Sequence, residues 1–126
     1  MIFISAQVKR FLTNRPLVLV DVGASGGIQE KWKHCKPYLR VIGFEPDERS
    51  ARELQQESSA ADKTTIFLSA GLYNTKTIVP LYLTRTKTDS SIFEPNLPFL
   101  KKFPKADRFD VVGTATISVD TLDNQL

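Results

Sequence analysis

The feature that most constrains the fold of this chain is a strand, a glycine-rich turn, a helix and a second strand within residues 17–46. The segment reads LVLVDVGASGGIQEKWKHCKPYLRVIGFEP. Its first six residues, LVLVDV, form an apolar run broken only by Asp21, which is typical of a parallel strand buried on both faces. A short helix predicted from Ile28 to before Pro37 leads to a second strand at residues 40–45. This order predicts a βαβ unit and, with it, a mostly parallel sheet flanked by helices in an α/β fold.

The turn after the first strand reads DVGASGG and has the form D-x-G-x-x-x-G, which lacks the full G-x-G-x-x-G of dinucleotide-binding proteins. Glycines are needed where the backbone approaches a ligand in a conformation that a Cβ forbids. Asp21 precedes the turn, and its negative charge would repel a pyrophosphate but attract an ammonium group. S-adenosylmethionine (SAM) has that ammonium and no phosphate, so the turn favours SAM over NAD. The alternative is a tight turn with Asp21 on the surface.

Two further sets of candidate residues follow predicted strands. Glu45 lies about 20 residues after Gly23, which is the spacing of the acid that accepts hydrogen bonds from a ribose. The alternative is a strand-end Glu that caps the next helix. Ser69, Ala70 and Gly71 follow a third strand predicted at residues 65–69. Because ligands of open α/β sheets bind beyond the carboxyl ends of the strands, these small residues line an adenine pocket or form an ordinary turn.

The remaining elements are predicted from periodicity and breaker residues. An amphipathic helix is expected at residues 3–13 within an N-terminal helical segment, residues 1–16. A helix that starts at Pro46 and Asp47 and runs to about residue 57 is followed by a polar loop at residues 58–63.

The pattern changes after the third strand. Residues 77–84 and 109–119 predict two more strands and an antiparallel element, and residues 120–126 predict the start of a helix. Residues 85–108 contain three prolines and no clear period, so we predict a long loop or flap there.

Five stretches, VDVGASGG, VIGFEPDE, SAGLYNTKT, DSSIFEPN and ISVDTLD, in this order, resemble the N-terminal half of the FkbM family of SAM-dependent methyltransferases. The resemblance runs from about Leu17 to the last residue. It implies a Rossmann-like class I methyltransferase fold and methyl transfer from SAM, usually to a hydroxyl of a sugar or natural product. It places the methionine part of SAM at the turn, the ribose at Glu45 and the adenine beside Pro46 and Asp47. The candidate cofactor-binding residues are thus Asp21, Gly23, Ala24, Ser25, Gly26, Glu45, Pro46, Asp47, Ser69 and Ala70.

The sequence departs from the family pattern in two places. Many members have Asn where Ser25 stands. In the family, V-D-T-L-D also precedes a helix and a strand of the type K-x-D-x-E-G near the donor methyl, whereas this sequence stops at Leu126. We therefore expect residues 1–126 to be one partial methyltransferase domain, either a fragment or a domain that something else completes. Strands without partners would expose a sheet edge, so we expect self-association.

Two other functions stay open. One is a SAM-binding or nucleoside-binding module that is catalytically incomplete and needs a longer chain or a partner, because the C-terminal half of the family pattern is missing. No residue is a convincing general base. The other is an NAD-type oxidoreductase, which Asp21 argues against. His34 and Cys35 are neighbours on a predicted helix and do not share a face, so no metal site is expected.

Composition and charge limit the partners and the compartment. A net charge of +3 is mild, so no nucleic-acid partner is expected. One cysteine excludes an internal disulfide, and no apolar run approaches the roughly 20 residues of a membrane span. The first residues lack the order of a signal peptide. We expect a cytoplasmic protein with no membrane partner that acts on a small-molecule or saccharide acceptor.

A basic cluster in the predicted long loop has two interpretations. It consists of Lys101, Lys102, Lys105 and Arg108. The cluster is either a solvated loop face or a site that recruits an anionic acceptor, such as a phosphorylated or acidic sugar.

Overall fold

The computed structural model describes residues 5–58 and 62–126. In this part of the chain, a three-stranded parallel sheet has the order β1-β2-β3 and is flanked by helices. Its strands are β1 (Leu17–Val22), β2 (Leu39–Phe44) and β3 (Thr65–Leu68). The helices of this half are α1 (Ala6–Asn14), α2 (Glu30–Lys33) and α3 (Glu48–Glu57). The predicted α/β class and the parallel βαβ arrangement are confirmed, and the sheet is compatible with a Rossmann-like fold.

The register of this sheet brings the carboxyl ends of its strands to one edge. Val22 at the end of β1 is opposite Phe44 at the end of β2, and Phe44 is opposite Leu68 at the end of β3. The backbone N–H of Glu45 donates to the Leu68 carbonyl at 2.9 Å, which continues the ladder by one residue. The residues that follow the three strands therefore lie side by side.

A second sheet follows in the chain and has the order β4-β6-β5. It comprises β4 (Gly71–Leu72), β5 (Thr77–Thr84) and β6 (Val111–Asp120). β5 and β6 are antiparallel, as predicted, while β4 is parallel to β6. The last helix is α5 (Leu122–Gln125), and its N-cap is Thr121.

One face of the parallel sheet forms the core. Leu39 and Val41 alternate on this face of β2, and α3 contributes Ala51 and Leu54; all four side chains are buried. Gly43 shares this face, and a Cβ on it would lie 2.5 Å from the Phe67 ring. The Phe67 ring of β3, together with Ala24 of the turn, therefore leaves no room for a side chain at this point.

The opposite face of the parallel sheet is covered at Phe44, which is buried, but it is open along β1 and at Ile66, which corrects the prediction that β1 is buried on both faces. Val18 is 58% exposed, Val22 62% and Ile66 on β3 55%. An apolar strand becomes buried on both faces only if elements cover both sides of it, and the described residues leave Val18 and Val22 of β1 uncovered.

Two other predictions needed correction. The helix expected up to Pro37 is shorter: α2 ends at Lys33, and Pro37 lies in a separate 3₁₀ turn, Lys36–Tyr38, because proline suits a first helical turn. Residues 85–108 hold short helical elements rather than a plain loop. These are a 3₁₀ turn at Lys87–Asp89, α4 (Leu97–Leu100) and the start of a 3₁₀ turn at Ala106–Phe109. Because of this last turn, β6 begins at Val111 and not at residue 109 as predicted.

Parts of two predictions lie outside the described residues. They are the first residues of the N-terminal helix, up to residue 4, and residues 59–61 of the polar loop. Within the described ranges, no helix has the length and apolar character needed to cross a membrane.

We expect Gly43→Ala to lower the free energy of unfolding by about 1–3 kcal/mol, since its Cβ would overlap the Phe67 ring and force the strands to shift. Urea denaturation monitored by circular dichroism measures the change. Gly113→Ala on β6 is the matched control, because its Cβ would meet its nearest neighbour, Leu83, at an ordinary 3.7 Å. Equal stability of the two variants would show that the β2–β3 packing is looser than described.

Self-association stays a prediction, and the structure gives it a location at the outer edge of β1. No strand within residues 5–58 and 62–126 pairs with this edge. We expect the wild type to self-associate with rising concentration in light scattering, and Val18→Lys to shift it towards monomer, because edge lysines prevent strand pairing. Val8→Lys, at an exposed position on α1 rather than on a strand edge, is the control. A wild type that is monomeric at every concentration would refute the prediction.

Candidate functional site

The turn that follows β1 depends on glycine conformation. Gly23, Gly26 and Gly27 have φ angles of 73°, 85° and 80°, in the left-handed region that other residues rarely adopt. The N–H groups of Gly23 and Ala24 both donate to the Phe44 carbonyl, at 2.9 and 3.0 Å, and so attach the turn to the end of β2. A Cβ on Gly23 or Gly26 would meet no atom within 4 Å. The turn therefore presents backbone to open space.

Ser25 continues the turn and connects it to α3. Its Oγ lies 2.8 Å from the Oγ of Ser50, which is buried in α3. A hydroxyl can donate one hydrogen bond and accept two, so this contact leaves Ser25 with capacity for a ligand.

Glu45 is a buried carboxylate at the end of β2, with 4% of its surface exposed. Its Oε1 accepts a hydrogen bond from the Asp47 N–H at 2.8 Å. Burial raises the pKa of Glu45; hydrogen bonds from the backbone N–H groups of Asp47 and Ser25 oppose the rise, and the charges of Asp47 and Asp21 add to it. The carboxylate therefore links the turn to the start of α3 in a setting that disfavours its charge.

Asp21 is the second carboxylate at this edge of the sheet. It is partly buried on β1 opposite Gly43, and burial raises its pKa. It takes part in none of the ion pairs formed by the described residues. Asp21 and Glu45 thus create a negative region in which a cation would relieve the cost of two charges.

Asp47 lies in a different environment, because its acceptor positions are filled from within the chain. Oδ1 accepts from the backbone N–H and the Nε of Arg49, both at 3.0 Å, and Oδ2 accepts from Arg49 Nη2 at 2.7 Å and Ser90 Oγ at 2.9 Å. Burial raises the pKa of Asp47, but the bonds from Arg49 and Ser90 outweigh it and hold the pKa below its usual value. Asp47 is therefore an N-cap and an ion-pair partner.

The sequence analysis did not identify Arg49, which has a central structural role. Its Nη2 also donates to the Thr84 carbonyl at the end of β5, at 3.0 Å. Together, Asp47, Arg49 and Ser90 join the parallel sheet to the second sheet. The available signal was the D-x-R spacing at a helix start, but the sequence does not show that β5 lies within reach.

A cleft of about 410 Å³ lies between the two sheets. It brings together four candidate residues, Pro46, Asp47, Ser69 and Ala70. Its other wall comes from the second sheet, which sequence reasoning had not connected with the site: Leu83, Ala115, Thr116, Ile117 and Ser118. The candidates of the turn (Asp21, Gly23, Ala24, Ser25, Gly26) and Glu45 do not line this cleft.

A larger open cleft, of about 1050 Å³, lies elsewhere and contains Gly26 as its one candidate residue. Lys36 and Asp62 form an ion pair at 3.2 Å on its rim. Its lining includes Ser58 and Asp62, the last and first described residues around the gap at 59–61, and we assign no ligand to it. The described residues contain no group of three or more His, Cys, Asp or Glu side chains arranged to hold a metal ion.

Comparison with known proteins gives no relatives: no family model, curated protein or solved structure matches the chain. The resemblance to FkbM methyltransferases therefore stays a prediction, and the function must be argued from the site itself.

We expect Asp47→Asn to lower the free energy of unfolding at pH 7 by about 1.5–3 kcal/mol, because it weakens charge-assisted hydrogen bonds to Arg49. The pKa of Asp47 is lower in the folded than in the unfolded chain. Its stabilising effect is thus present above the unfolded pKa, about 4, and is lost as the pH falls through the folded pKa. The difference between wild type and variant should therefore shrink in acid. Urea titrations between pH 7 and pH 3 measure it, with exposed Asp107→Asn as control; a difference independent of pH would contradict this role.

Proposed function

We propose that this chain is the SAM-binding part of a Rossmann-like class I methyltransferase of FkbM type, which methylates a hydroxyl of a small-molecule or saccharide acceptor in the cytoplasm. The observation that carries the proposal is the pair of carboxylates, Asp21 and Glu45, beside a glycine turn at the carboxyl ends of parallel strands. Open α/β sheets bind ligands at this edge.

Charge supports SAM over a dinucleotide. SAM carries an ammonium and a sulfonium, and both attract the carboxylates whose pKa values are raised here. A pyrophosphate would meet the unpaired Asp21 and be repelled. Asp21 would hold the ammonium of the methionine part, with Gly23, Ala24, Ser25 and Gly26 of the turn beside it.

Glu45 has the capacity to bind a ribose. An ionised carboxylate has about four acceptor positions, and the N–H groups of Asp47 and Ser25 use two of them. The others would accept the two ribose hydroxyls. Burial of Glu45 excludes competing water, which strengthens such bonds.

The cleft between the sheets supports a place for the adenine. Its volume of about 410 Å³ is in the range of small-ligand pockets, roughly 300–1,000 Å³. Small or apolar residues line much of it, including Ala70, Leu83, Ala115 and Ile117. Pro46 follows Glu45 in the chain, and Ser69 follows Leu68, whose carbonyl accepts the Glu45 N–H. A nucleoside held by Glu45 would therefore extend into this cleft.

Methyl transfer would be a direct displacement. SAM, when bound, would supply a methyl group on a positively charged sulfur; displacement by an acceptor oxygen would release a neutral thioether, and the hydroxyl proton would pass to water. Alignment of the two reactants supplies much of the rate in such a reaction. This chain would therefore contribute by fixing the donor.

A binding module without catalysis is the second candidate. The acids of the site are used for other tasks: Asp47 is held by Arg49, while Asp21 and Glu45 are assigned to the cofactor. This leaves no general base at the site. Methyl transfer from labelled SAM to a hydroxyl acceptor by the purified chain would exclude this candidate.

We expect SAM to bind the chain in calorimetric titration and Glu45→Gln to weaken binding about 10–100-fold, because two charge-assisted hydrogen bonds to the ribose are weakened. Glutamine keeps the size of the side chain, and circular dichroism verifies the fold. Glu94→Gln, at an exposed site, is the matched control and should bind like the wild type. If the wild type binds NADH tightly and does not bind SAM, this proposal is wrong and the oxidoreductase hypothesis replaces it.

A further inference from the structure

Two phenylalanines in the connection between β5 and β6 lie outside the core. Residues 97–105, LPFLKKFPK, are named here the Phe–Lys segment. Phe99 is 52% exposed and Phe103 54%, and their ring centroids lie 5.4 Å apart in an edge-to-face contact. The segment therefore presents a paired aromatic surface to the outside.

Backbone hydrogen bonds keep this surface in place. Asn96 caps α4, since its Oδ1 accepts from the Phe99 N–H at 3.2 Å. The Lys101 N–H donates to the Leu97 carbonyl at 2.9 Å. The exposure of the two rings is thus a feature of regular structure, with the side chains carried on a short, capped helix and the turn after it.

Three lysines surround the rings without acidic partners. Lys101, Lys102 and Lys105 are exposed, and none joins an ion pair formed by residues 5–58 and 62–126. Residues 1–4 and 59–61 contain no Asp or Glu, and neither does the segment itself. The surface is therefore cationic as well as aromatic.

Arg108, the fourth member of the predicted basic cluster, has a separate role. Its Nε and Nη2 donate to the two carboxylate oxygens of Asp89, at 2.5 and 3.0 Å. This bidentate pair attaches the end of the connection to the 3₁₀ turn that follows β5. The cluster thus divides into one structural arginine and three lysines outside the ion pairs of the described residues, of which Lys102 lies over the Phe99 ring, 5.8 Å from its centroid.

The shape of the segment selects among anionic partners. Neither cleft described above includes any residue from 97–105. A small anion such as a sugar phosphate needs a concave site, and these side chains project from the surface instead. An extended surface fits better if aromatic rings can insert into it and if it carries negative charges close to the inserted rings.

We propose that the Phe–Lys segment docks the chain on an anionic lipid bilayer. Phe99 and Phe103 enter the interfacial region, while Lys101, Lys102 and Lys105 lie among the phosphate and carboxylate headgroups. Such contact needs no membrane-spanning helix. It revises the expectation of no membrane partner, which was based on the lack of an apolar run as long as a span. The proposal does not depend on SAM binding.

Co-sedimentation with vesicles of phosphatidylcholine, with and without phosphatidylserine, tests this docking. The wild type should sediment with the vesicles that contain phosphatidylserine and should not sediment with the neutral ones. The triple variant Lys101→Gln/Lys102→Gln/Lys105→Gln should bind on the order of 100-fold more weakly, about fivefold for each lysine near the surface. Phe99→Ala/Phe103→Ala should lose at least about tenfold, since apolar area enters the interface. All these positions are exposed, so thermal melts should show unchanged folding.

A charge-matched control separates docking from general attraction of a basic protein. Lys9→Gln/Lys63→Gln/Lys76→Gln removes three exposed lysines elsewhere and should bind like the wild type. Equal loss in this control, or full binding by the phenylalanine variant, would reduce the effect to net charge and overturn the proposal. So would equal binding to neutral vesicles. If the wild type does not bind vesicles, lipid docking is refuted. If the phenylalanine variant then also has a different oligomeric state, a second copy of the chain covers this surface.

Discussion

The buried carboxylate of Asp47 is the interaction on which the arrangement of the two sheets depends. It begins α3, receives two side-chain hydrogen bonds from Arg49 and one from Ser90, and through Arg49 reaches the end of β5. An ionised group without water must have its acceptor positions filled, so these partners are fixed in position relative to each other. Asp47 and Arg49 both line the cleft between the sheets, so this network joins its two walls.

Three carboxylates within a short stretch of sequence have different tasks because their surroundings differ. Asp47 is matched by a guanidinium and a hydroxyl, which hold its pKa low. Burial raises the pKa values of Asp21 and Glu45, and the negative charge of Asp21 raises the pKa of Glu45 further. Such separation of environments indicates which acids support the structure and which are free to meet a ligand. It is also why the proposed ligand is cationic.

The open part of the parallel sheet and the Phe–Lys segment are both apolar and exposed, but they differ in charge, and this difference is why we propose different partners for them. The open face of the parallel sheet is lined by Val18, Val22 and Ile66, together with a strand edge that can pair with a like strand. The Phe–Lys segment combines its rings with three lysines and has no free strand edge. One surface suits a further strand or sheet, and the other suits an anionic boundary.

The sequence by itself determined the local elements of this protein. Apolar runs located β1 to β3, alternation located β5, and the glycines of DVGASGG located a turn whose φ angles only glycine adopts readily. It also placed Asp21, Glu45 and Ser69 at strand ends, because a strand end is a local property. These predictions succeeded since each depends on residues that are neighbours in the chain.

Only the tertiary structure decided which of these elements meet. The wall of the cleft formed by Ala115 and Ile117, the reach of Arg49 to Thr84, and the open face of β1 all depend on pairings between residues distant in the chain. An apolar strand has the same sequence pattern whether one face or both are covered. Burial is set by what packs against a strand, and that is a property of the whole fold.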